Sequence, residues 1–231
     1  MLVGHLRGMV CWRWTVMEVE AGHGDMQSRE IILIRHGTTA WNLEKRYLGH
    51  TDIGLLPEAE QELSSLREQF SNITCDALYC SDLLRCQQTL THIAPSQAGQ
   101  AKLDPRLREI DFGQWEGLTY DQLKDNPQYR DWIDAPQEVT PPDGEPWTAF
   151  AARIDSFMEE SLMSFSPILH SPSMNVPKVA VITHGGVIRY MVSRLIRNQG
   201  FWDTQVIPGQ AIKIRLDGDG DSWVGTRLTF P

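Results

Sequence analysis

Residues 31–42 read Ile-Ile-Leu-Ile-Arg-His-Gly-Thr-Thr-Ala-Trp-Asn. An apolar run stops at a cation, an imidazole and a glycine. The four apolar residues are bulky and mostly β-branched, which suits a strand buried on both faces. Arg35 and His36 then fall at its carboxyl end, where open α/β sheets place ligands. A guanidinium beside an imidazole at that place suits an anionic substrate. A second corner lies at 179–186, Val-Ala-Val-Ile-Thr-His-Gly-Gly. Apolar residues Val187, Ile188, Met191, Val192, Leu195 and Ile196 follow at helical spacing. His184 therefore also stands between a strand and a helix, whose first N–H groups favour phosphate. Two histidines at two corners of one sheet are placed to converge.

A third corner lies between them. Asp76–Cys80 reads as a short strand, Ser81 as the cap of the next helix, and Asp82 as a first-turn charge. Arg85 falls one turn in, and arginine suits forked contact with phosphate oxygens. Farther on, Glu109 sits among apolar residues ahead of a glycine turn. A carboxyl group in such surroundings can keep its proton nearer neutrality and act as an acid. His50, in Gly49-His50-Thr51-Asp52, is a candidate for the rim of a pocket. Thr39 and Asn42 read either as site residues or as turn and capping residues. Glu116 reads as a structural or helix-start charge, or as a substrate contact. His5, His23, His92 and His170 are ordinary structural or surface residues.

Four fragments, taken together, resemble the histidine phosphatase superfamily. They are Arg-His-Gly-x-Thr-x-x-Asn at 35–42, Ser-Asp-Leu-x-Arg at 81–85, Leu-x-Glu-x-x-Phe-Gly-x-Trp-Glu-Gly at 107–117, and Thr-His-Gly-Gly at 183–186. The resemblance spans about residues 30–228. It implies that His36 is the nucleophile, that Arg35, Asn42, Arg85 and His184 bind the phosphoryl oxygens, and that Glu109 protonates the leaving oxygen. The N–H of Gly185 is a further donor, and Thr39, His50 and Glu116 are candidates for the substrate rim. The stretch 112–117 resembles the phosphatase branch, and Pro142-Asp143-Gly144-Glu145 followed by Phe150-x-x-Arg153 resembles the α-ribazole phosphatases of cobalamin biosynthesis and related broad-specificity phosphatases. The implied reaction is hydrolysis of a small phosphorylated metabolite through a phosphohistidine, with α-ribazole 5′-phosphate as the leading single substrate. A cofactor-dependent phosphoglycerate mutase and a non-catalytic phosphate-binding module are the alternatives. A metal hydrolase is disfavoured, because no His/Asp/Glu cluster has ligand spacing, and no cofactor is expected.

The elements needed to hold these residues are those of an α/β three-layer sandwich, a mostly parallel sheet with helices on both faces. The 231 residues carry 41% hydrophobic and 22% charged side chains, ordinary for a globular chain. A net charge of -9 without a basic run argues against nucleic acid as a partner. Positive charge must then be concentrated locally, with Arg35, Arg46 and Arg85 as candidates. Cys11, Cys75, Cys80 and Cys86 form no CxxC pair, which predicts a reduced, cytoplasmic setting with Cys80 and Cys86 in the core. The stretch 2–19 is too interrupted by charge to span a membrane. The reading divides the chain into an N-terminal extension, 1–29, disordered or a non-native start with Met26 as the functional one, and a single domain, 30–231, monomeric or homodimeric. A helix from Pro57 is expected to bury Ala59, Leu63, Leu66 and Phe70, and Thr119 with Gln122 makes a capping box. A helix from Trp147 runs toward Phe165, and 166–178 is a loop. The segment 134–146 is a lid edge or a plain surface loop. Ala211–Leu216 and Ser222–Leu228 read as edge strands joined by the Asp-Gly-Asp-Gly turn at 217–220.

Overall fold

The strand β1, Gln27–Arg35, lies in the interior of a six-stranded sheet. In a computed structural model, residues 27–164, 176–219 and 222–229 are described. The chain continues through α1 (Ala40–Leu43), α2 (Ala59–Glu62), α3 (Ser64–Ser71), β2 (Ala77–Cys80), α4 (Leu84–Ile93) and β3 (Lys102–Leu103). Then come α5 (Tyr120–Leu123), α6 (Pro127–Asp134), α7 (Trp147–Met158), β4 (Lys178–Thr183), α8 (Gly185–Leu195), β5 (Ala211–Gly218) and β6 (Trp223–Leu228). The sheet order is β3-β2-β4-β1-β5-β6. Its first four strands are parallel, β5 adds antiparallel to β1, and β6 adds antiparallel to β5. The sheet is thus mixed, with helices on both faces.

The alternation along the central strands assigns the layers. Ile31 and Leu33 of β1, with Val179 and Val181 of β4, face α7 and α8. Ile32 and Ile34, with Ala180 and Ile182, face α3 and α4. All eight side chains are fully buried. Burial of a large aliphatic side chain contributes about 1.5–3 kcal/mol, so the corners at His36 and His184 both follow heavily buried strands. A satellite cluster of Trp115, Leu123 and Tyr129, joined by Tyr47, Phe112 and Trp132, lies beside the short helices α5 and α6.

Several elements differ from expectation. The strand β5 is interior, paired with β1 on one side and β6 on the other, so β6 and β3 are the edges. The two-residue β3 is too short to leave a periodic signal. Ala59, Leu63, Leu66 and Phe70 are all buried, but the helix carrying them is interrupted at Leu63 into α2 and α3. The helix α7 passes into a π-helical turn, Glu159–Met163. There the carbonyls of Leu162 and Met163 accept from Arg29, whose guanidinium lies 3.9 Å over the Trp223 ring. Residues 27–29, assigned to the extension by sequence, therefore belong to the sheet. Expectations for 1–26, for Phe165, for most of 166–178 and for the end of the 217–220 turn fall outside the described residues. Among the described residues no helix is long and apolar enough to cross a membrane.

Candidate active site

His36 leaves the end of β1 with its backbone N–H on the carbonyl of Thr183, 3.0 Å away at the end of β4. Its Nδ1 lies 2.7 Å from the carbonyl of Gly37. A carbonyl can only accept, so Nδ1 carries the hydrogen and Nε2 keeps its lone pair. Burial pushes the His36 pKa well below 6.5, helped by Arg85 and Arg35, so the ring is held neutral. The ring of His184, the residue before α8, stands edge-on to it with centroids 5.1 Å apart. Its Nδ1 accepts from Arg85 Nε at 3.3 Å, which leaves the hydrogen on Nε2 for Ser81 Oγ at 2.9 Å. Burial, then Arg85 and His36, holds the His184 pKa far below its usual value too.

Arg85 is fully buried in the first turn of α4. Besides His184 it meets the carbonyls of Thr51 at 2.9 Å and Gly49 at 2.7 Å. Ser81 is not the cap of α4: that position is Leu83, with no side-chain bond, and Ser81 serves His184. Asp82 lies outside the helix and forms a forked pair with Arg108 at 2.5 and 2.8 Å. Arg35 donates from Nη1 to the carbonyl of Val206 at 2.7 Å, while its buried Nε has no partner. A buried unpaired donor costs about 1–3 kcal/mol, and a phosphoryl oxygen is an acceptor that relieves it. Burial draws the Arg35 pKa down and Glu109 pulls it back up. Gly185 lies alongside, where an added Cβ would stand 3.5 Å from Arg35 Cζ. Among the described residues neither Arg35 nor Arg85 is neutralised by an ion pair.

Glu109 is aimed at the same helix start. Its Oε2 accepts from the N–H of Gly186 at 2.8 Å, and its Oε1 from the N–H of Ile110 at 3.1 Å. A Cβ at Gly186 would displace this carboxylate from its place at the helix start, so the second glycine of the pair leaves room for it. The Glu109 carbonyl in turn accepts from Arg153 Nη2 at 2.9 Å and meets His50 Nε2 at 3.0 Å. Arg153 also reaches the carbonyls of Arg106 at 2.6 Å and Arg108 at 2.7 Å, and forks onto Glu145 at 2.7 and 2.8 Å. The Glu145–Arg153 pair thus clamps the segment that carries the carboxylate.

A neutral imidazole with a free nitrogen, two guanidinium groups and a carboxylate therefore converge at the carboxyl ends of β1, β2 and β4. Residues 31–229, which include all four sequence fragments, match the profile of the histidine phosphatase superfamily (branch 1). The chain belongs to that superfamily. Histidine phosphatase relatives include the adenosylcobalamin/alpha-ribazole phosphatase of Escherichia coli (strain K12), 28% identical over 71% of this chain and 77% of that one. Phosphoglycerate mutase-like protein 4 of Arabidopsis thaliana is 28% identical over 86% and 84%. The crystal structure of the alpha-ribazole phosphatase from Shigella flexneri shares the fold, with a TM-score of 0.73 at 24% identity, covering 87% of this chain and 95% of that one.

The remaining candidates within the histidine phosphatase site divide. Thr39 and Asn42 form the capping box of α1: the Thr39 N–H donates to Asn42 Oδ1 at 3.1 Å and the Asn42 N–H to Thr39 Oγ1 at 3.3 Å. Of the two readings of these residues the geometry displays capping, and the amide nitrogen of Asn42 is the part left for a phosphoryl oxygen. Of the two readings of Glu116 the geometry displays the structural one, a clasp. Its oxygens accept from the N–H groups of His50 at 2.6 Å and Thr51 at 2.7 Å and from the Thr51 hydroxyl. It thereby fixes the loop whose carbonyls hold Arg85. His50 is likewise bound to main chain at Glu109, with Asp111 3.5 Å from its other nitrogen. Arg46 gives its charge to Glu44 and the Gly117 carbonyl and not to the pocket. Thr89, which sequence reasoning passed over, accepts from the N–H of Gly37 at 3.0 Å and donates to the Arg85 carbonyl at 2.7 Å, tying two corners together. Its only signal was its place one turn after Arg85 on the buried face of α4. Beyond Glu109 and Gly186 opens a cavity of about 320 Å³, lined mostly by aromatic side chains.

Proposed function

We propose that this histidine phosphatase superfamily member hydrolyses the phosphomonoester of a small metabolite through a phosphohistidine at His36, with α-ribazole 5′-phosphate as the leading single substrate. The observation that carries the reading is the His36 ring, whose Nδ1–H is held by Gly37 so that Nε2 keeps its lone pair between Arg35 and Arg85. The names of the Escherichia coli and Shigella flexneri relatives support the substrate.

In the first step Nε2 attacks phosphorus in line, the N–P bond forms, and the P–O ester bond breaks. The Glu109 carboxyl gives its proton to the departing oxygen. Charge on the equatorial oxygens is met by Arg35 Nε, by Arg85 and by the start of α8. His184 joins them by exchanging Ser81 for a phosphoryl oxygen. In the second step Glu109 takes a proton from water, the new hydroxide oxygen bonds to phosphorus, and the N–P bond breaks. Inorganic phosphate leaves and His36 is neutral again. The two half-reactions share one site because the group that was the acid is afterwards the base.

The test is phosphate release from a panel containing α-ribazole 5′-phosphate, phosphoserine and 3-phosphoglycerate, the last also primed with the bisphosphate. The reading expects free phosphate, with the highest kcat/KM on α-ribazole 5′-phosphate. Interconversion of phosphoglycerates without net phosphate release would overturn it in favour of a mutase.

A further inference from the structure

The cavity beside Glu109 is a slot between two aromatic walls. One wall is Tyr47, Phe112 and Trp132, with ring centroids 5.0, 5.8 and 5.9 Å apart. The other is Trp147, Phe201 and Trp202, in contact at 5.1 and 4.8 Å. The floor is Glu109 and Gly186, the carboxylate and helix start of the reaction site. A substrate whose ester oxygen meets Glu109 therefore sends the rest of its leaving group into this slot.

The lining decides what that group can be. Arg189, one turn along α8 from Gly186, is the only cation among the lining residues. Its guanidinium lies 5.4 Å over the Trp202 ring and its Nε donates to the Thr204 carbonyl at 3.2 Å. A carboxylate or second phosphate would find Arg189 as its one cationic partner among the lining residues and would otherwise lose water against rings, which is costly. A flat uncharged ring gains apolar burial and ring stacking instead. At the mouth, Trp202 is 65% and Ile133 41% exposed, apolar surface that a bound ring would cover. The volume is at the small end for ligand pockets, enough for one ring system and not for a large cofactor.

We propose that this slot takes a flat, uncharged aromatic ring system of the leaving group, carried on a short alkyl or sugar arm from the phosphoryl oxygen. The inference rests on the phosphatase reading above, since it concerns what that reaction releases. It makes Trp132, Trp147 and Trp202 specificity-determining residues.

The experiment compares 2-(2-naphthyl)ethyl phosphate with n-butyl phosphate. Both release a primary alkoxide, so the ester chemistry is matched and only the slot distinguishes them. The expected kcat/KM ratio is at least about tenfold in favour of the naphthyl ester, chiefly through KM. In Trp202→Ala and in Trp147→Leu the ratio should fall by about threefold or more. The ratio is taken within one preparation, so loss of folded protein lowers both rates and leaves it unchanged. A ratio near one in the wild type, or one that neither variant lowers, overturns the slot and leaves the phosphatase reading standing. If neither ester is hydrolysed, binding of 2-(2-naphthyl)ethanol is followed by titration calorimetry against n-butanol. Binding of the ring alcohol alone, weakened in Trp202→Ala, then upholds the slot, and the phosphatase reading stands or falls on the metabolite panel. Binding of neither alcohol, or ring binding unchanged in Trp202→Ala, overturns the slot.

Discussion

The two ends of the site are built differently. At the phosphoryl end His36, Arg85 and His184 are 3%, 0% and 1% exposed and stand on strand ends and helix starts. Across Glu109, the slot draws its walls mostly from loops, with Trp132 from the short helix α6 and Trp147 from the start of α7, and Trp202 is 65% exposed. The first end is held by main-chain carbonyls and a buried sheet, the second by rings leaning on rings. Rigid donors suit a reaction that needs preorganised charge. A loop-built wall suits a leaving group that differs from one relative to another.

The largest effect expected at the rigid end is from His36→Ala. It removes the proposed nucleophile and should lower kcat by more than about 10³-fold on every ester, with the thermal midpoint little changed. A loss confined to one class of ester would erase the distinction between the two ends. Glu109→Gln stands at the boundary. It should cost about 10²–10⁴-fold in single-turnover phosphorylation with an alkyl ester, and far less with p-nitrophenyl phosphate, whose leaving group needs no proton. Equal losses would transfer the acid role to Asp111 or Glu116.

A smaller effect comes from Arg153→Gln, which leaves both histidines and both pocket arginines in place. It frees the segment bearing Glu109, so kcat on an alkyl ester should fall about tenfold, and p-nitrophenyl phosphate should be affected less. A uniform loss, or a change in KM alone, would remove Arg153 as a positioning residue for the acid.

The smallest effect is on stability against pH. Burial holds the folded pKa of His36 and His184 well below 6.5. Above that value both rings are neutral in both states and contribute no pH dependence. Below it the unfolded chain takes up protons that the folded one refuses, so stability falls with acidification, by up to about 1.4 kcal/mol per pH unit for each ring. Denaturant midpoints between neutrality and pH 5 should therefore fall less steeply in His36→Ala than in the wild type, the difference cancelling the carboxylates common to both. Parallel slopes would contradict the burial of a neutral His36.

The two ends also differ in how well they can be read from sequence. Arg35, His36, Arg85 and His184 were singled out because each has chemistry of its own just beyond a short apolar strand, and Glu109 because it lies among apolar residues ahead of a glycine turn. Ser81 was misread as a cap because its type fits that role as well as it fits a bond to His184. Glu145 and Arg153 were visible only as a resemblance. Their work is done on the carbonyls of Arg106, Arg108 and Glu109, and main-chain acceptors have no residue type to recognise. The slot had no signature either. Tyr47, Trp132, Trp147 and Trp202 are far apart along the chain, and each alone is an ordinary hydrophobic residue. The interior β1 and β4 were legible from unbroken apolar runs, whereas two-residue β3 and the break at Leu63 depend on tertiary packing.

The central claim is that Nε2 of His36 carries the phosphoryl group. Rapid mixing with a labelled alkyl phosphate, a quench in base and peptide mass spectrometry would locate the adduct, and phosphorus NMR of the digested peptide would distinguish the two ring nitrogens. The account predicts one phosphoryl group on His36, at Nε2, formed within the first turnover and lost on reaction with water. A phosphoryl group on Nδ1 or on His184, or turnover with no covalent adduct at all, would contradict it.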